Sequence, residues 1–181
     1  GNVIAMPNFD RLANKGMKFS NAYCQATFCN PSRASFITGL RPDTSDITNN
    51  SDYFRESLVP AIANAVTFPQ CFRTNGYYTA SVGKILHGSQ MDPLSWDYQQ
   101  NGYSATAAGS DGTWINMTTN AAIEVPWCKW RANSGDDIDM DDGQVAQRAI
   151  EILSEKRNDP FLLAVGFKKP HDPFEAPQKY Y

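Results

Sequence analysis

The residues best suited to chemistry fall first in one run, Cys29-Asn30-Pro31-Ser32-Arg33-Ala34-Ser35-Phe36-Ile37-Thr38-Gly39. Pro31 suits the first turn of a helix, where its missing N–H would find no partner anyway. That predicts Cys29 just ahead of a helix N-terminus, where exposed N–H groups and the helix dipole favour negative charge. Arg33, in the same first turn, can reach back toward whatever sits on Cys29, and Gly39 closes the helix. The run reads as an anion site built around one sulfur-bearing residue. A lone cysteine is more often a small buried hydrophobe, so the reading needs company elsewhere in the chain.

That company is positional. Lys84 and His87 follow one predicted strand, and Lys169 and His171 follow another. In open α/β sheets, ligands gather outside the carboxyl ends of strands. The chain has only 2 histidines, and both stand at such exits in turns framed by Gly or Pro. Lysine and arginine neutralise the non-bridging oxygens of a tetrahedral oxyanion, and histidine moves protons near neutral pH. The set suits cleavage of an ester of such an anion. Lys168 reads as a solvated neighbour.

The elements that must position these groups are partly legible. Residues 8–16 predict a short helix behind Pro7, capped by Gly16. Met17 to Tyr23 alternates as a strand does, and 41–57 is polar enough to be loop. Thr67 can cap a helix that ends at Asn75-Gly76. Tyr77 to Val82 is a buried-strand candidate. Residues 89–135, rich in Gly, Asn, Thr and Trp, read as a long insertion or substrate-facing loop. Asp139 to Arg157 is the clearest helix, with Val145, Ala149, Ile152 and Leu153 as its apolar stripe. The acidic run 136–142 lacks the spaced oxygens and glycine of an EF-hand loop and reads as a helix N-terminal cluster. Phe161 to Phe167 is a continuous apolar run, as in a strand covered on both faces. Strand, helix and strand in alternation argue for an α/β layered fold.

At 181 residues the chain is large enough for one domain with a sizeable core. Its 41% hydrophobic, 12% aromatic and 19% charged composition is that of a globular protein. A net charge of -3 offers no electrostatic case for nucleic acid. No apolar run is long enough for a membrane span. Cys24, Cys29, Cys71 and Cys128 lack metal-binding or thioredoxin-like spacing. Two triplets, Asn49-Asn50-Ser51 and Asn116-Met117-Thr118, would accept glycans only in a eukaryotic secretory route.

The run from Cys29 to Gly39 resembles the signature of the type I sulfatases, C-x-P-S-R followed by T-G. Gly83-Lys84-Ile85-Leu86-His87 resembles that family's second signature. Lys169-Pro170-His171-Asp172-Pro173-Phe174 resembles the K-P-H-x-P-F segment of its iduronate-2-sulfatase-like branch. The run from Met6 to Ala13 resembles the helix the family places before the signature.

The resemblance implies an alkaline-phosphatase/sulfatase-like α/β fold, a central mixed sheet flanked by helices. The chain would then be a partial catalytic domain over 1–181, without its first strand and C-terminal part. It implies that Cys29 becomes formylglycine, through a formylglycine-generating enzyme, and that the hydrate attacks sulfur in a sulfated carbohydrate. Arg33 and His87 would hold the hydrate, with His87 the base that expels sulfate. Lys84 would bind sulfate oxygens, and His171 would bind substrate and protonate the leaving alcohol. Lys169 is a substrate-binding candidate or only shapes its turn.

The family also implies Ca2+, with Cys29 the one metal contact here and the remaining ligands elsewhere. The fragment alone is then expected to be inactive. The family's setting is secreted, periplasmic or lysosomal. Alternatives at this level are a phosphonate or phosphate monoester hydrolase, or a non-catalytic truncated homologue.

Overall fold

The computed structural model describes residues 5–103, 111–117 and 128–181. Two three-stranded sheets organise them. The first has β1 (Tyr78–Gly83) at its centre, with β2 (Tyr98–Gln100) on one side and β5 (Phe161–Gly166) on the other, all parallel. The second sets β4 (Lys129–Asn133) between β3 (Ile115–Asn116), antiparallel, and β6 (Phe174–Pro177), parallel. The described part of 89–135 thus contributes β2, β3 and β4. Their pairing partners lie far along the chain, and three strands of two to five residues leave almost no local periodicity.

Because side chains alternate across a strand, the first sheet buries two different faces. Ala80 and Val82 of β1 and Leu163 of β5 pack with Val145 and Ile152 of α6 (Asp141–Glu155). Leu162 and Ala164 face the opposite way, onto a cluster holding Ile37, Phe54, Leu86 and Trp96. Ile37 belongs to α2 (Cys29–Thr38). The short helices α3 (Pro42–Ser45), α4 (Pro60–Ala63) and α5 (Phe68–Thr74) fill the same side, with Phe68 against Phe36 of α2 at 5.5 Å between ring centroids. β5 is therefore covered on both faces as expected. It is only half-buried, since it forms an edge of the described sheet.

Several local expectations hold. Helix α1 (Pro7–Ala13) starts on its proline, although its C-cap is Asn14 and not the expected Gly16, and Thr67 caps α5 by accepting from the Gln70 N–H at 3.2 Å. Gly39 ends α2 at φ 73, a left-handed conformation glycine adopts without strain. The acidic run forms a 3-10 turn, Asp137–Asp139, with a capping box between Asp136 and Asp139, leading into α6.

Three expectations change. Met17 to Tyr23 is not a strand. Met17, Phe19 and Tyr23 are exposed, and among the described residues no strand pairs with them, so alternation alone cannot hold the backbone. Leu153 leaves the buried stripe of α6: Val145, Ala149 and Ile152 recur at i, i+4 and i+7, while Leu153 turns off that line and is half exposed. The polar stretch 41–57 contains α3 and a 3-10 turn at Phe54–Glu56. That turn delivers Phe54 to the core and Arg55 to Asp92. Arg55 meets the buried Asp92 with two bonds of 3.0 Å and also donates to the Ala63 and Ala65 carbonyls.

Candidate active site

Cys29 is the first residue of α2, one step further into the helix than Pro31 suggests by itself. It is partly exposed and, like Cys24, Cys71 and Cys128, a free thiol. The N-terminal end of α2 is tied down by its neighbour. Asn30 is buried; its side-chain amide donates to the Asn49 carbonyl at 2.8 Å and the Asp52 carbonyl at 2.5 Å, and its backbone N–H donates to Asn50 Oδ1 at 3.1 Å. Gln90 donates to the same Asp52 carbonyl at 2.9 Å, joining this loop to the turn after His87. Asn30, Asn50 and Asp52 were not legible as site residues in the sequence. Their only signal is Asn and Asp density in a polar loop. Within the triplet 49–51, readable as a glycan acceptor, the Asn49 carbonyl and the Asn50 side chain hold the N-terminal end of α2; Thr118 of the second triplet lies outside the described residues.

The two histidine turns meet because β1 and β5 end together. Gly83 and Gly166 are in register, and the Lys84 N–H donates to the Gly166 carbonyl at 2.7 Å. A Cβ on Gly166 would stand 2.3 Å from the Lys84 carbonyl oxygen, so this approach requires glycine there. Arg33 closes the arrangement. Its Nη1 donates to the Lys84 carbonyl and, at 3.0 Å, to the Ile85 carbonyl, so α2 clamps the exit of β1. Arg33 Nε is buried and has no hydrogen-bond partner among the described residues. It is an unmet donor at the site.

A cleft of about 560 Å3 opens at these strand ends and brings together Lys84, His87, Lys168 and His171. Cys29 and Arg33 lie within Coulombic reach of Lys84. Burial lowers the Lys84 pKa, with the charges of Arg33 and Lys168 adding to the effect and Cys29 opposing it. Burial also lowers the Arg33 pKa, again with Cys29 opposing. His87 sits below its ordinary value because burial, then Lys84 and Arg33, disfavour a further positive charge; a hydrogen bond to the Asn50 backbone opposes this. A neutral imidazole beside two cations is fitted to accept a proton. His171 is held through Nδ1, at 2.6 Å from the Asp172 carbonyl and 3.1 Å from its carboxylate, which leaves Nε2 for the cleft.

Lys169 takes the second of its two expected roles. Its ammonium turns away to the Pro173 carbonyl at 2.5 Å and to Glu175 at 3.7 Å, and it lines a second cleft on the far side. It braces its own turn. Lys168, read as solvated, lines the histidine cleft instead. Lys168 lines both clefts and Lys169 only the second one, a difference set in the turn after β5.

Among the described residues no group of three or more His, Cys, Asp or Glu side chains is placed to hold a metal ion. The described residues do not by themselves form a calcium site.

A parallel sheet whose strand ends gather cations and imidazoles around a helix-borne cysteine defines an α/β protein suited to a tetrahedral oxyanion. The chain belongs to the sulfatase family: the family model described as Sulfatase matches residues 1–181. It is 33% identical to human iduronate 2-sulfatase over 98% of this chain and 33% of that protein. It is 31% identical to a sulfatase of Formosa agariphila, over 98% of this chain and 36% of that protein. The chain thus spans about a third of the length of the curated relatives it matches. Its fold is similar to a Pseudoalteromonas sulfatase, with a TM-score of 0.60 and 22% identity over 96% of this chain and 40% of the other. It is also similar, at TM-score 0.58 and 23% identity over 94% and 31%, to a protein solved with its substrate D-glucosamine-2-N,6-O-disulfate.

Proposed function

We propose that this chain is the nucleophile-bearing part of a sulfatase catalytic domain, a sulfuric ester hydrolase acting on a sulfated carbohydrate. The observation that carries this is the convergence of Cys29, Arg33, Lys84, His87 and His171 from three separate segments onto the ends of two parallel strands. Position 29 fits an oxygen-bearing side chain: it heads a helix, it is not in a disulfide, and a buried guanidinium N–H of Arg33 lacks an acceptor. Conversion of Cys29 to formylglycine, by a formylglycine-generating enzyme, supplies a hydrated aldehyde as nucleophile.

The chain's own residues do the rest. Lys84 neutralises sulfate oxygens, the term that dominates when charge develops on an oxyanion. Arg33 fixes Lys84 through its backbone and offers its free N–H to the oxygen at position 29. His87, kept neutral by burial and two cations, takes the proton whose removal lets sulfate depart. His171, oriented through Nδ1, presents Nε2 to the leaving alcohol. Ca2+ goes with the family, as does a secreted, periplasmic or lysosomal setting.

The test is made on the full-length protein expressed with its modifying enzyme. Mass spectrometry of the Cys29 peptide is expected to show the aldehyde or its hydrate, with aryl sulfate turned over and Cys29→Ala inactive. An unmodified thiol in a protein that still hydrolyses aryl sulfate would remove Cys29 from the chemistry.

A further inference from the structure

The acidic run that leads into α6 ends in Asp141 and Asp142, the first two residues of the helix. A helix N-terminus favours carboxylates, but these two are spent on neighbouring loops. Asp142 gives both oxygens to consecutive backbone amides after β5, the Lys168 N–H at 2.7 Å and the Lys169 N–H at 2.8 Å. Asp141 accepts from the Tyr103 N–H, after β2, at 2.6 Å. The helix that carries them is fixed, since Val145 and Ile152 are buried against the first sheet.

The turn gripped by Asp142 is the one that presents His171. The Lys168 carbonyl accepts from the His171 N–H at 3.0 Å, so residues 168–171 form one hydrogen-bonded turn with the carboxylate at its start and the imidazole at its end. Burial does little to hold it, for Phe167, Lys168, Pro170 and His171 are exposed. Asp172 fixes how the His171 ring is rotated, but its carbonyl and carboxylate move with the same turn. Asp142 ties that turn to a different element. Charge-assisted bonds to two successive amides set both the position and the tilt of the backbone they hold.

We propose that Asp142 is a positioning residue for the leaving-group proton: through the turn it grips, it sets where His171 Nε2 meets the ester oxygen. This rests on the sulfatase reading, in which Nε2 gives its proton to the departing alcohol as the S–O bond breaks. General acid catalysis contributes about a hundredfold to ten-thousandfold, and a misplacement near 1 Å costs about a hundredfold. Releasing the turn is therefore expected to cost about tenfold wherever the leaving group needs its proton, and little where it does not.

The experiment uses the full-length protein expressed with its modifying enzyme. It compares kcat/KM for para-nitrophenyl sulfate, whose phenolate departs without a proton, and for para-methoxyphenyl sulfate, whose phenolate is the poorer leaving group. The ratio of the two cancels any loss of folded or modified enzyme. Asp142→Ala is expected to raise this ratio about tenfold over wild type, and Asp142→Glu, which keeps both acceptor oxygens, to restore it. Asp142→Asn gives up one acceptor and is expected to fall between them; it is read in place of the alanine variant if that one does not fold. His171→Ala is expected to raise the ratio further, and adding Asp142→Ala to it to raise it no more, because the carboxylate acts through the imidazole. A ratio within about twofold of wild type in Asp142→Ala, with both rates lowered alike, reduces Asp142 to a stability role and overturns the proposal. So does a double variant in which the two effects multiply. Turnover of both esters with an unmoved ratio sinks the positioning role alone, whereas no turnover by wild type carrying the aldehyde sinks the sulfatase reading with it.

Discussion

Gly166→Ala is the perturbation that most directly tests how the site is held. A methyl at this position would meet the Lys84 carbonyl oxygen at 2.3 Å, its carbon at 2.5 Å and its nitrogen at 2.9 Å, all backbone atoms. Clearing even 3.0 Å from that oxygen requires the exits of β1 and β5 to separate by roughly 0.7 Å. The Lys84 N–H bond to Gly166 and the Arg33 bond to the Lys84 carbonyl both oppose that movement. Overpacking of this kind costs about 1–3 kcal/mol, and the strained hydrogen bonds add about 1 kcal/mol. The smaller unfolded-state entropy of alanine returns roughly 0.4–1 kcal/mol. The net is about 1–4 kcal/mol of stability. Lys84 also moves by a good fraction of an ångström, and misplacement near 1 Å can cost about a hundredfold in rate. The full-length variant should therefore melt several degrees lower and lose at least about tenfold in kcat/KM on an aryl sulfate. Gly16→Ala is the control, since a Cβ there meets only the Leu12 carbonyl oxygen at 3.8 Å. Wild-type melting and wild-type kcat/KM in Gly166→Ala would refute the view that the two glycines set the spacing of the site.

Arg55→Met is expected to destabilise the protein by about 3–5 kcal/mol, because it leaves the Asp92 carboxylate buried without its charge partner. Denaturant unfolding checks this, and a loss under about 1 kcal/mol would show the pair to be dispensable. The pH profile should report His87. Its pKa lies below the usual 6.5, so the neutral, proton-accepting form persists into mildly acidic solution and activity falls only as pH drops through that lowered value. Removing a neighbouring cation with Lys84→Gln should move this acid limb of the residual activity to higher pH. A limb that stays in place would separate His87 from the rate. For stability the sign is the same: between the lowered pKa and the unfolded value the unfolded chain binds more protons, so stability is lost as pH falls through that window.

Much of the site was legible because its signals are local. Cys29, Pro31 and Arg33 sit within one helical turn, and each histidine lies within five residues of a strand-ending glycine. Helix caps at Thr67 and Gly39, and the stripe of α6, depend on spacing and could be read directly. The rest failed for want of distant partners. Met17 to Tyr23 carries a strand's alternation with nothing to pair to, while β2, β3 and β4 pair over long sequence distances with too few residues to show a period.

The sequence by itself determined the kinds of group at the site and the helix and strand ends that carry them, because residue type, glycine and proline act locally. Which of two adjacent lysines faces the histidines was decided only in three dimensions. Lys168 and Lys169 differ by one position and by nothing in chemistry. The register of Gly166 against Gly83, and the grip of Asp142 on both backbone amides, turn one ammonium into the cleft and commit the other to Glu175.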